Sequence, residues 1–377
     1  MIEVTDKSKC CGCSACAGAC PVQCISMIAD KEGFKYPVAD PNICISCGKC
    51  EQVCPMTFSR PASEKKAYAA RIPQYEPSSS SGGVFSALAE NVLSSGGVIF
   101  GAAFDEALKL RHIKVTDKTM LGQLRGSKYV QSDMVGVYHQ VQDELSDGKT
   151  VLFSGTPCQV AGLKKFLNKD YPHLFTVDIA CHGVPSPEVW NRYVIEKGTD
   201  LVHVNFRDKS EGWRKYNIAY TYKERTEKVR FDMDPYMLLF LQNISLRPSC
   251  YDCSFRNGGN CSDVTLADFW AIKDVMPEMN DGKGVSAVIV NTLKGESLVK
   301  QLGHLEEVKY EDAVKSNGGF FTTFEIPASR NEFFKGLDAA ENLNRYIRRF
   351  IKKKSAFREA YERLHTLLAT IKRRILS

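Results

Sequence analysis

The chain has 377 residues, of which 44% are hydrophobic and 25% charged, with a net charge of +6 and 15 cysteines. This length suits two or three domains with a substantial buried core. No signal peptide precedes the cysteines, and no apolar stretch approaches the roughly 20 residues of a spanning helix, so we expect a cytoplasmic protein. In a reducing compartment, clustered cysteines indicate metal ligands or redox groups before disulfides.

The first element is a cysteine run that occurs twice. CCGCSACAGACP contains C-x2-C-x2-C-x3-C followed by proline, and CISCGKCEQVCP repeats it. In bacterial two-cluster ferredoxins with this spacing, three cysteines of a run hold one [4Fe–4S] cluster and the fourth reaches the other cluster. We assign one cluster to Cys10, Cys13, Cys16 and Cys54, and the second to Cys44, Cys47, Cys50 and Cys20, within a ferredoxin-type domain over residues 1–60.

Two alternatives to this interpretation are zinc knuckles and a disulfide scaffold. Zinc sites use four ligands each without the interleaved fourth cysteine and proline, so both alternatives are disfavoured. Cys11 and Cys24 fall outside the pattern. We interpret them as small buried or surface thiols.

A polar linker, MTFSRPASEKK, leads into a second predicted domain over residues 66–330. Strands are predicted at AYAARI, GVIFGAAF, TVLFSG and LFTVDIA, and helices at GGVFSALAENVLSSGG, GVYHQVQDELSDGK, PCQVAGLKKFL and PSPEVWNRYVIEK. This alternation indicates an α/β domain with a largely parallel sheet. From about residue 201, LVHVNFR, YNIAYTYK and TEKVRF resemble antiparallel strands, so we expect a mixed sheet and an α/β (α+β) fold class.

Three loops of this domain carry residue types suited to a ligand. SSSSGGVF places backbone N–H groups at a helix start, which suits a phosphate, although a flexible linker explains it equally well. RGSKYVQS could hold a phosphate and stack a ring, or be a surface turn. FSGTPCQ places Cys158 at a helix start, where the dipole favours a thiolate, so Cys158 should be a nucleophile or a ligand. The other candidates are Ser81, Gly82, Gly83, Ser127, Lys128, Tyr129, Gly155 and Thr156.

Six segments in order resemble the coenzyme F-420 hydrogenase/dehydrogenase beta-subunit family over about residues 66–290: SSGGVFSAL, GSKYVQS, FSGTPCQVAGL, DIACHGVPSP, CYDC and SDVTLADFW. With the ferredoxin run in front, the sequence is most similar to the bacterial group. The resemblance implies a flavin, usually FAD, beside a [4Fe–4S] cluster, and electron transfer between one-electron centres and a two-electron carrier or substrate. Some bacterial relatives are encoded beside polysaccharide-synthesis enzymes.

We hypothesise roles for single residues in such a protein. The first two loops would help to hold the FAD phosphates, and Thr156 and Cys158 would lie near its ring. His182 could supply a proton, but a histidine bonded to a loop carbonyl is the better interpretation. Trp213 could shield a substrate pocket, although a core tryptophan is the better interpretation. For Asp268, a role in a turn or helix cap and a functional role are equally good interpretations.

Five cysteines remain for a third cluster that needs four. The resemblance implies Cys158, Cys181, Cys250 and Cys253 as its ligands. The first two each follow a predicted parallel strand, so their loops should emerge at the same sheet edge. Cys261 departs from the family pattern and leaves open a C-x2-C-x7-C site in place of a four-segment one.

These features predict an FAD- and iron–sulfur-dependent oxidoreductase with three [4Fe–4S] clusters. Electrons would pass from a ferredoxin-like donor or reductase through the clusters to FAD and a two-electron substrate or carrier. Polysaccharide or cell-surface biosynthesis is the implied setting. The alternative is an electron-relay subunit with no substrate of its own; a nucleic-acid-binding iron–sulfur protein is a weaker third interpretation.

The last segment, residues 331–377, is predicted to be a basic helical tail. From residue 345 onward it holds eleven lysines and arginines and two acids, with apolar residues at helical spacing. One interpretation is a helix packed on its own domain with a solvated basic face. The other is docking to anionic lipid at the cytoplasmic membrane surface, or to an acidic partner. Nucleic acid is disfavoured because no binding module accompanies the charge.

Overall fold

The computed structural model describes residues 1–57, 64–256, 259, 261–321 and 323–352. The N-terminal part is small and built around its cysteine turns. Its elements are α1 (Ala15–Gly18), β1 (Ile25–Ala29), β2 (Lys35–Ala39) and α2 (Lys49–Gln52). The two strands form an antiparallel hairpin, and each helix opens on a residue with positive φ just before it, Ser14 or Gly48. The predicted linker falls largely on residues 58–63, outside the described residues.

The second part contains the remaining eleven strands. They are β3 (Lys66–Ala70), β4 (Val98–Phe104), β5 (Leu110–Val115), β6 (Val151–Gly155), β7 (Leu174–Ile179), β8 (Leu201–Asp208), β9 (Asn217–Tyr222), β10 (Thr226–Arg230), β11 (Val264–Asp268), β12 (Ser286–Val290) and β13 (Leu305–Val308).

Its helices cover the sheets and the C-terminal end. They are α3 (Val84–Ser94), α4 (Val137–Ser146), α5 (Pro157–Leu167), α6 (Pro187–Lys197), α7 (Pro235–Leu241), α8 (Ile272–Val275), α9 (Leu293–Val299), α10 (Tyr310–Val314), α11 (Gly318–Phe321), α12 (Ser329–Leu337) and α13 (Leu343–Ile347). None of the described helices is long and apolar enough to cross a membrane.

Eight strands form one mixed sheet in the order β13–β3–β12–β11–β7–β6–β4–β5. The central pairs β4–β6, β6–β7 and β7–β11 are parallel, and the outer pairs are antiparallel. The α/β fold class and the mixed sheet are therefore confirmed. The prediction that the strands after residue 201 make this sheet mixed was wrong. These strands, β8, β9 and β10, form a separate antiparallel sheet. The main sheet is mixed because of its flanking strands β3, β5, β12 and β13.

Alternating side chains on the central strands build a core on each face of the main sheet. Ile99 and Leu152 pack with the apolar face of α3, while Phe100 and Phe153 pack with α4 and α5. All four side chains are fully buried. Because neighbouring residues of a strand point to opposite faces, these continuous apolar runs are what a doubly covered parallel sheet requires.

The ferredoxin-like part lies against the second part through specific contacts. Gly33 has a φ of +82° and lies so close to α6 that a Cβ would be 2.5 Å from the backbone nitrogen of Glu188. Lys35 Nζ pairs with Asp133 at 2.6 Å, and Arg330 Nη1 donates to Glu32 Oε1 at 3.0 Å. The described end of the chain, α12 and α13, packs into the same core as α6 and α7. Residues 353–377, which hold most of the predicted basic helix, lie outside the described residues.

Candidate metal centres and cofactor loops

One cavity gathers thiols from three distant segments. Cys158 lies on the first turn of α5, Cys181 lies just past β7, and Cys250 and Cys253 flank a tight turn after residue 248. All four line the same cavity. Since β6 and β7 are parallel neighbours, the first two thiols emerge at one sheet edge, as predicted. Their role as cluster ligands stays a prediction.

The crowding of these thiols opposes their ionisation. Burial raises the pKa of Cys250 to about 12. The pKa of Cys181 is raised well above its ordinary value, chiefly by burial and secondly by the neighbouring Cys250. The pKa of Cys158 is also raised, by its hydrogen bond to the Cys11 thiol and then by burial. Neighbouring thiols and burial therefore act against the thiolate that the helix start favours, and the role of Cys158 as a nucleophile or ligand stays a prediction.

A metal reverses this balance, since coordination deprotonates a thiol outright. Four half-buried thiols around one cavity are the donor set of a [4Fe–4S] cluster. Among the described residues, no three His, Cys, Asp or Glu side chains converge as they would on a single metal ion. The thiols instead surround cavities. The donor chemistry fits an iron–sulfur cluster.

Cys11 lines the same cavity and was not predicted to do so. It is 7% exposed, and its thiol pairs with those of Cys13 and Cys158. Its position directly after Cys10 was the one feature of the sequence that could have predicted its place at this cavity. Cys261 lies in the adjacent core with Phe255, and the lining of the cavity, within the described residues, does not include it. Its interpretation as a spare thiol stays a prediction.

The two cysteine runs interleave in space. Cys16 lies near Cys10 and Cys54, and its pKa is raised to about 12, chiefly by burial. Burial also raises the pKa of Cys54. Two cysteines of the first run, Cys10 and Cys16, therefore lie near the fourth cysteine of the other run.

The second half of this arrangement surrounds a small cavity of its own. Its lining contains Cys20, Cys44, Cys47 and Cys50. Cys24 is a fifth thiol there, with its Sγ 3.4 Å from the Sγ of Cys20. The cysteine spacing in the sequence predicted no role for Cys24. This thiol lies close to the other four only because the chain turns back after Pro21.

The first two cofactor loops are joined by hydrogen bonds. Ser127 donates to Ser80 Oγ from its backbone nitrogen at 2.7 Å and from its hydroxyl at 2.9 Å. Lys128 Nζ donates to the carbonyl oxygen of Arg125 at 2.9 Å, and burial lowers the pKa of this lysine to about 7. The two loops that the sequence singled out therefore form one structure.

Two further cations reach the same loops and were not predicted. Lys209 Nζ donates to the carbonyl oxygens of Glu76 at 3.0 Å and Ser81 at 2.9 Å. Arg207 Nη2 lies 3.5 Å from the carbonyl oxygen of Ser80 and pairs with Asp268. With Lys128, these groups make the surroundings basic, which suits an anionic group such as a pyrophosphate. Both cations come from β8 and its following turn, so sequence spacing could not connect them with the serine loop.

The glycines of these loops serve close packing. A Cβ on Gly82 would lie 2.3 Å from the carbonyl oxygen of Ala70, and Gly83 has a φ of +90°. Gly155 packs against Gln159, where a Cβ would lie 3.0 Å from Oε1. The start of α3 has no side-chain cap, so its first N–H groups suit a phosphate, as the resemblance implies.

Two other predicted flavin contacts have partners within the protein. The Tyr129 ring stacks on Phe240 with centroids 5.0 Å apart. Thr156 is the N-cap of α5, in a capping box with Gln159, and its Oγ1 lies 3.2 Å from Cys158 Sγ. Thr156 thus contacts one thiol of the cysteine cavity. As flavin contacts, both residues stay predictions.

His182 and Trp213 occupy packed positions. Nε2 of His182 lies 2.7 Å from Oδ1 of Asn243, the ring packs on Phe240 and Phe324, and burial lowers the pKa of the imidazole. Its partner is a side-chain amide and not the loop carbonyl expected in the favoured interpretation. Trp213 is 1% exposed and donates to Asp268 Oδ1 at 3.0 Å. Trp213 is therefore a core residue.

Comparison with known families finds similarity in both parts of the chain. Residues 148–315 match the family model for the C terminus of the coenzyme F420 hydrogenase/dehydrogenase beta subunit. This segment is therefore similar to the C-terminal part of that beta subunit. Residues 9–58 match a 4Fe-4S dicluster domain, and residues 39–81 match the 4Fe-4S single cluster domain of Ferredoxin I. The protein is therefore an iron–sulfur electron-transfer protein related to that beta subunit.

Among solved structures, 13 chains match. One is from the xenon-derivatised F420-reducing [NiFe] hydrogenase complex of Methanosarcina barkeri, at 16% identity and a TM-score of 0.47, covering 77% of this chain and 93% of that chain. No curated protein matches this chain.

Proposed function

We propose that this protein is an FAD- and iron–sulfur-dependent oxidoreductase with three [4Fe–4S] clusters. It takes electrons from a ferredoxin-like one-electron donor and delivers them to a two-electron substrate or carrier. The observation that carries the proposal is the cavity lined by Cys158, Cys181, Cys250 and Cys253, directly beside the duplicated cysteine run. A third cluster there would lie between the ferredoxin pair and the flavin loops.

The proposed ligands follow from the groupings of the thiols. Cys10, Cys13, Cys16 and Cys54 would hold the first cluster, Cys20, Cys44, Cys47 and Cys50 the second, and Cys158, Cys181, Cys250 and Cys253 the third. A flavin supplies the exchange between one-electron and two-electron chemistry. The residues proposed to hold it are Ser81, Gly82, Gly83, Ser127, Lys128, Tyr129, Gly155 and Thr156.

The residues of this chain would shape the route in two ways. The peptide from Cys10 to Cys11 connects the first cluster to the lining of the third cavity, so no loop has to move for the two sites to be adjacent. The joined serine loops place Lys128 and Lys209 where they can neutralise phosphates. His182 remains the candidate proton donor, held in orientation by Asn243.

The partners follow from the same scheme. A redox protein, a ferredoxin or its reductase, would supply electrons at the second cluster, where Cys47 is exposed. The resemblance supports a substrate or carrier in polysaccharide or cell-surface biosynthesis. The basic segment after residue 345 would add a peripheral contact with an anionic membrane.

The test is anaerobic reconstitution followed by iron, sulfide and flavin analysis. We expect one FAD and about twelve irons per chain, four for each cluster. Cys181→Ser should lose about four irons, and Cys261→Ser, the matched control, should lose none. Zinc in place of iron, or iron without flavin, contradicts the proposal.

A relay subunit without its own substrate is the second candidate. It is favoured by exposed apolar side chains beside the second thiol cavity, since Ile43 is 51% and Ile45 60% exposed. Such a patch is typical of a protein–protein contact. Turnover of a small-molecule acceptor by the isolated, fully loaded chain supports the enzyme. Electron transfer only in the presence of a partner protein supports the relay.

A further inference from the structure

Arg247 is a buried cation between the ferredoxin-like part and the third thiol cavity. Its side chain is 0% exposed. Its Nε donates to the carbonyl oxygen of Cys10 at 2.7 Å, Nη1 to Oε1 of Gln131 at 3.0 Å, and Nη2 to the carbonyl oxygen of Lys35 at 3.0 Å. The guanidinium also lies 4.4 Å from the centroid of the Tyr36 ring. All of these partners are neutral.

No carboxylate forms an ion pair with Arg247 in any part of the chain that the structure describes. Two other buried arginines differ in this respect: Arg207 pairs with Asp268, and Arg330 pairs with Glu32. Burying a guanidinium without a counter-charge costs several kcal/mol. A negatively charged group that completes this site is therefore expected in the working protein.

The guanidinium faces the first cluster site directly. Nη2 lies 3.6 Å from Sγ of Cys10, a distance suited to an N–H donating to sulfur. Gly12 makes this approach possible, because a Cβ there would lie 2.7 Å from Nη1. Any larger residue at this turn would push the cation away from the cysteine run.

The same residue is tied to the third site. The backbone nitrogen of Cys250 donates to the carbonyl oxygen of Arg247 at 2.9 Å. Gln131, which accepts from Nη1 of Arg247, donates from its own Nε2 to the carbonyl oxygen of Cys11 at 3.0 Å, and Cys11 lines the third cavity. The cation thus lies between the first cluster site and the lining of the third.

We propose that Arg247 is the shared counter-charge of the first and third iron–sulfur clusters, and that it sets both of their reduction potentials. The inference rests on the proposed function for the presence of these clusters. A four-thiolate cluster is anionic and gains negative charge on reduction, and its potential depends on net charge and on hydrogen bonds to its sulfurs. Arg247 therefore favours the reduced state at both sites. Transfer between them oxidises one cluster by one electron and reduces the other by one, with no bond made or broken.

The test is a potentiometric titration of the anaerobically reconstituted full chain, followed by electron paramagnetic resonance. In Arg247→Gln, with full iron, we expect the first and third clusters to become at least tenfold harder to reduce, about 59 mV for a one-electron couple. The second cluster, held by the other cysteine group, should keep its potential and serves as an internal reference. Arg247→Lys keeps the charge and should recover at least half of the shift.

Arg330→Gln is the matched control. It removes another buried arginine that contacts the ferredoxin-like part, but that arginine donates to Glu32, Leu246 and Tyr251 and not to a sulfur. It should leave all three potentials unchanged. Equal shifts in Arg330→Gln and Arg247→Gln would mean that docking, and not charge, sets the potentials, and would overturn the proposal.

The remaining outcomes also support or contradict the proposal. Unchanged potentials in Arg247→Gln, or a shift at one cluster alone, overturn the shared role. If Arg247→Gln loses iron, the Arg247→Lys variant decides. Full iron in Arg247→Lys, with potentials close to those of the wild type, supports the role of the charge. Iron loss equal to that of Arg247→Gln contradicts it. A wild-type chain without flavin contradicts the proposed function and leaves this inference standing, whereas a wild-type chain without the third cluster contradicts both.

Discussion

At the scale of single residues, burial moves ionisable groups of this protein into the physiological pH range. Lys128 has a pKa lowered to about 7 and Asp178 a pKa raised to about 7, with burial the main cause for each. Neither shift is visible in the sequence, because it depends on the solvent removed by surrounding elements. Each shift makes a measurable property depend on pH.

The first prediction concerns FAD binding by the Lys128 loop. An anionic phosphate beside Lys128 favours its ammonium form, so binding takes up a proton above the free lysine's pKa of about 7. Affinity should therefore fall by up to about tenfold per pH unit above 7. Flavin fluorescence titration between pH 6 and about 9 measures this. Lys128→Gln should bind more weakly and lose the pH dependence, while Lys114→Gln, a control lysine paired with Glu144, should keep it.

The second prediction concerns stability and Asp178. Its folded pKa of about 7 lies above the unfolded value of about 4, so the folded chain holds a proton that the unfolded chain has lost. Stability from this group is thus fully present below about pH 4 and is lost as pH rises to about 7, by at most about 4 kcal/mol. Asp178→Asn should gain stability relative to wild type between pH 5.5 and about 8 in anaerobic urea unfolding. A constant difference across that range contradicts the assignment.

At the scale of elements, α5 connects the sheet edge at the third thiol cavity to the ferredoxin-like part. It begins with the Thr156 capping box, which fixes Cys158 on its first turn. One turn further along, a Cβ on Gly162 would lie 2.7 Å from the Tyr138 hydroxyl and 2.9 Å from Cys13 Sγ. The helix therefore positions one proposed ligand of the third cluster and packs against a proposed ligand of the first.

The third prediction follows from this close approach. Gly162→Ala should displace Cys13 and lose up to about four irons per chain, although no ligand is changed. Where iron is retained, overpacking should cost about 1–3 kcal/mol of stability. Gly122→Ala is the control, because nothing lies within 4 Å of a Cβ there. Iron analysis and urea unfolding of both variants decide, and full iron with unchanged stability in Gly162→Ala contradicts the packing argument.

At the scale of the whole molecule, the ferredoxin-like part is attached by a few polar contacts that reach far along the chain. The pair between Glu32 and Arg330 is the longest in sequence, and its side chains are 19% and 6% exposed. Ser186 Oγ also donates to the Glu32 carbonyl oxygen at 2.5 Å. These contacts hold the cysteine runs against the sheet edge where the third thiol cavity lies.

The fourth prediction concerns this attachment. Glu32→Gln leaves the Arg330 charge buried without a counter-charge and should cost about 3 kcal/mol of stability. Replacing both, Glu32→Gln with Arg330→Met, should recover part of that loss, because the uncompensated charge is gone. The measurement is anaerobic urea unfolding with iron content followed in parallel. A double variant less stable than the sum of the single ones would contradict the role of unpaired charge.

The sequence by itself determined what depends on neighbours along the chain. The cysteine spacing within each run identifies a ferredoxin site, since ligands two or three residues apart are close in any turn. The apolar runs around Leu152 and Val177 and the proline at the start of α5 fixed strands and helices of the main sheet. These are local properties, and residues far along the chain do not alter them.

The tertiary structure alone decided what depends on distant partners. Strand order brought Cys158 and Cys181 to the thiols near residue 250, placed Cys11 at the same cavity, and kept β8–β10 out of the main sheet. It also buried Arg247 against Cys10, 237 residues away in the chain. No spacing rule connects such residues, because burial and charge pairing are fixed only when the sheet order and the docking of the two parts are known.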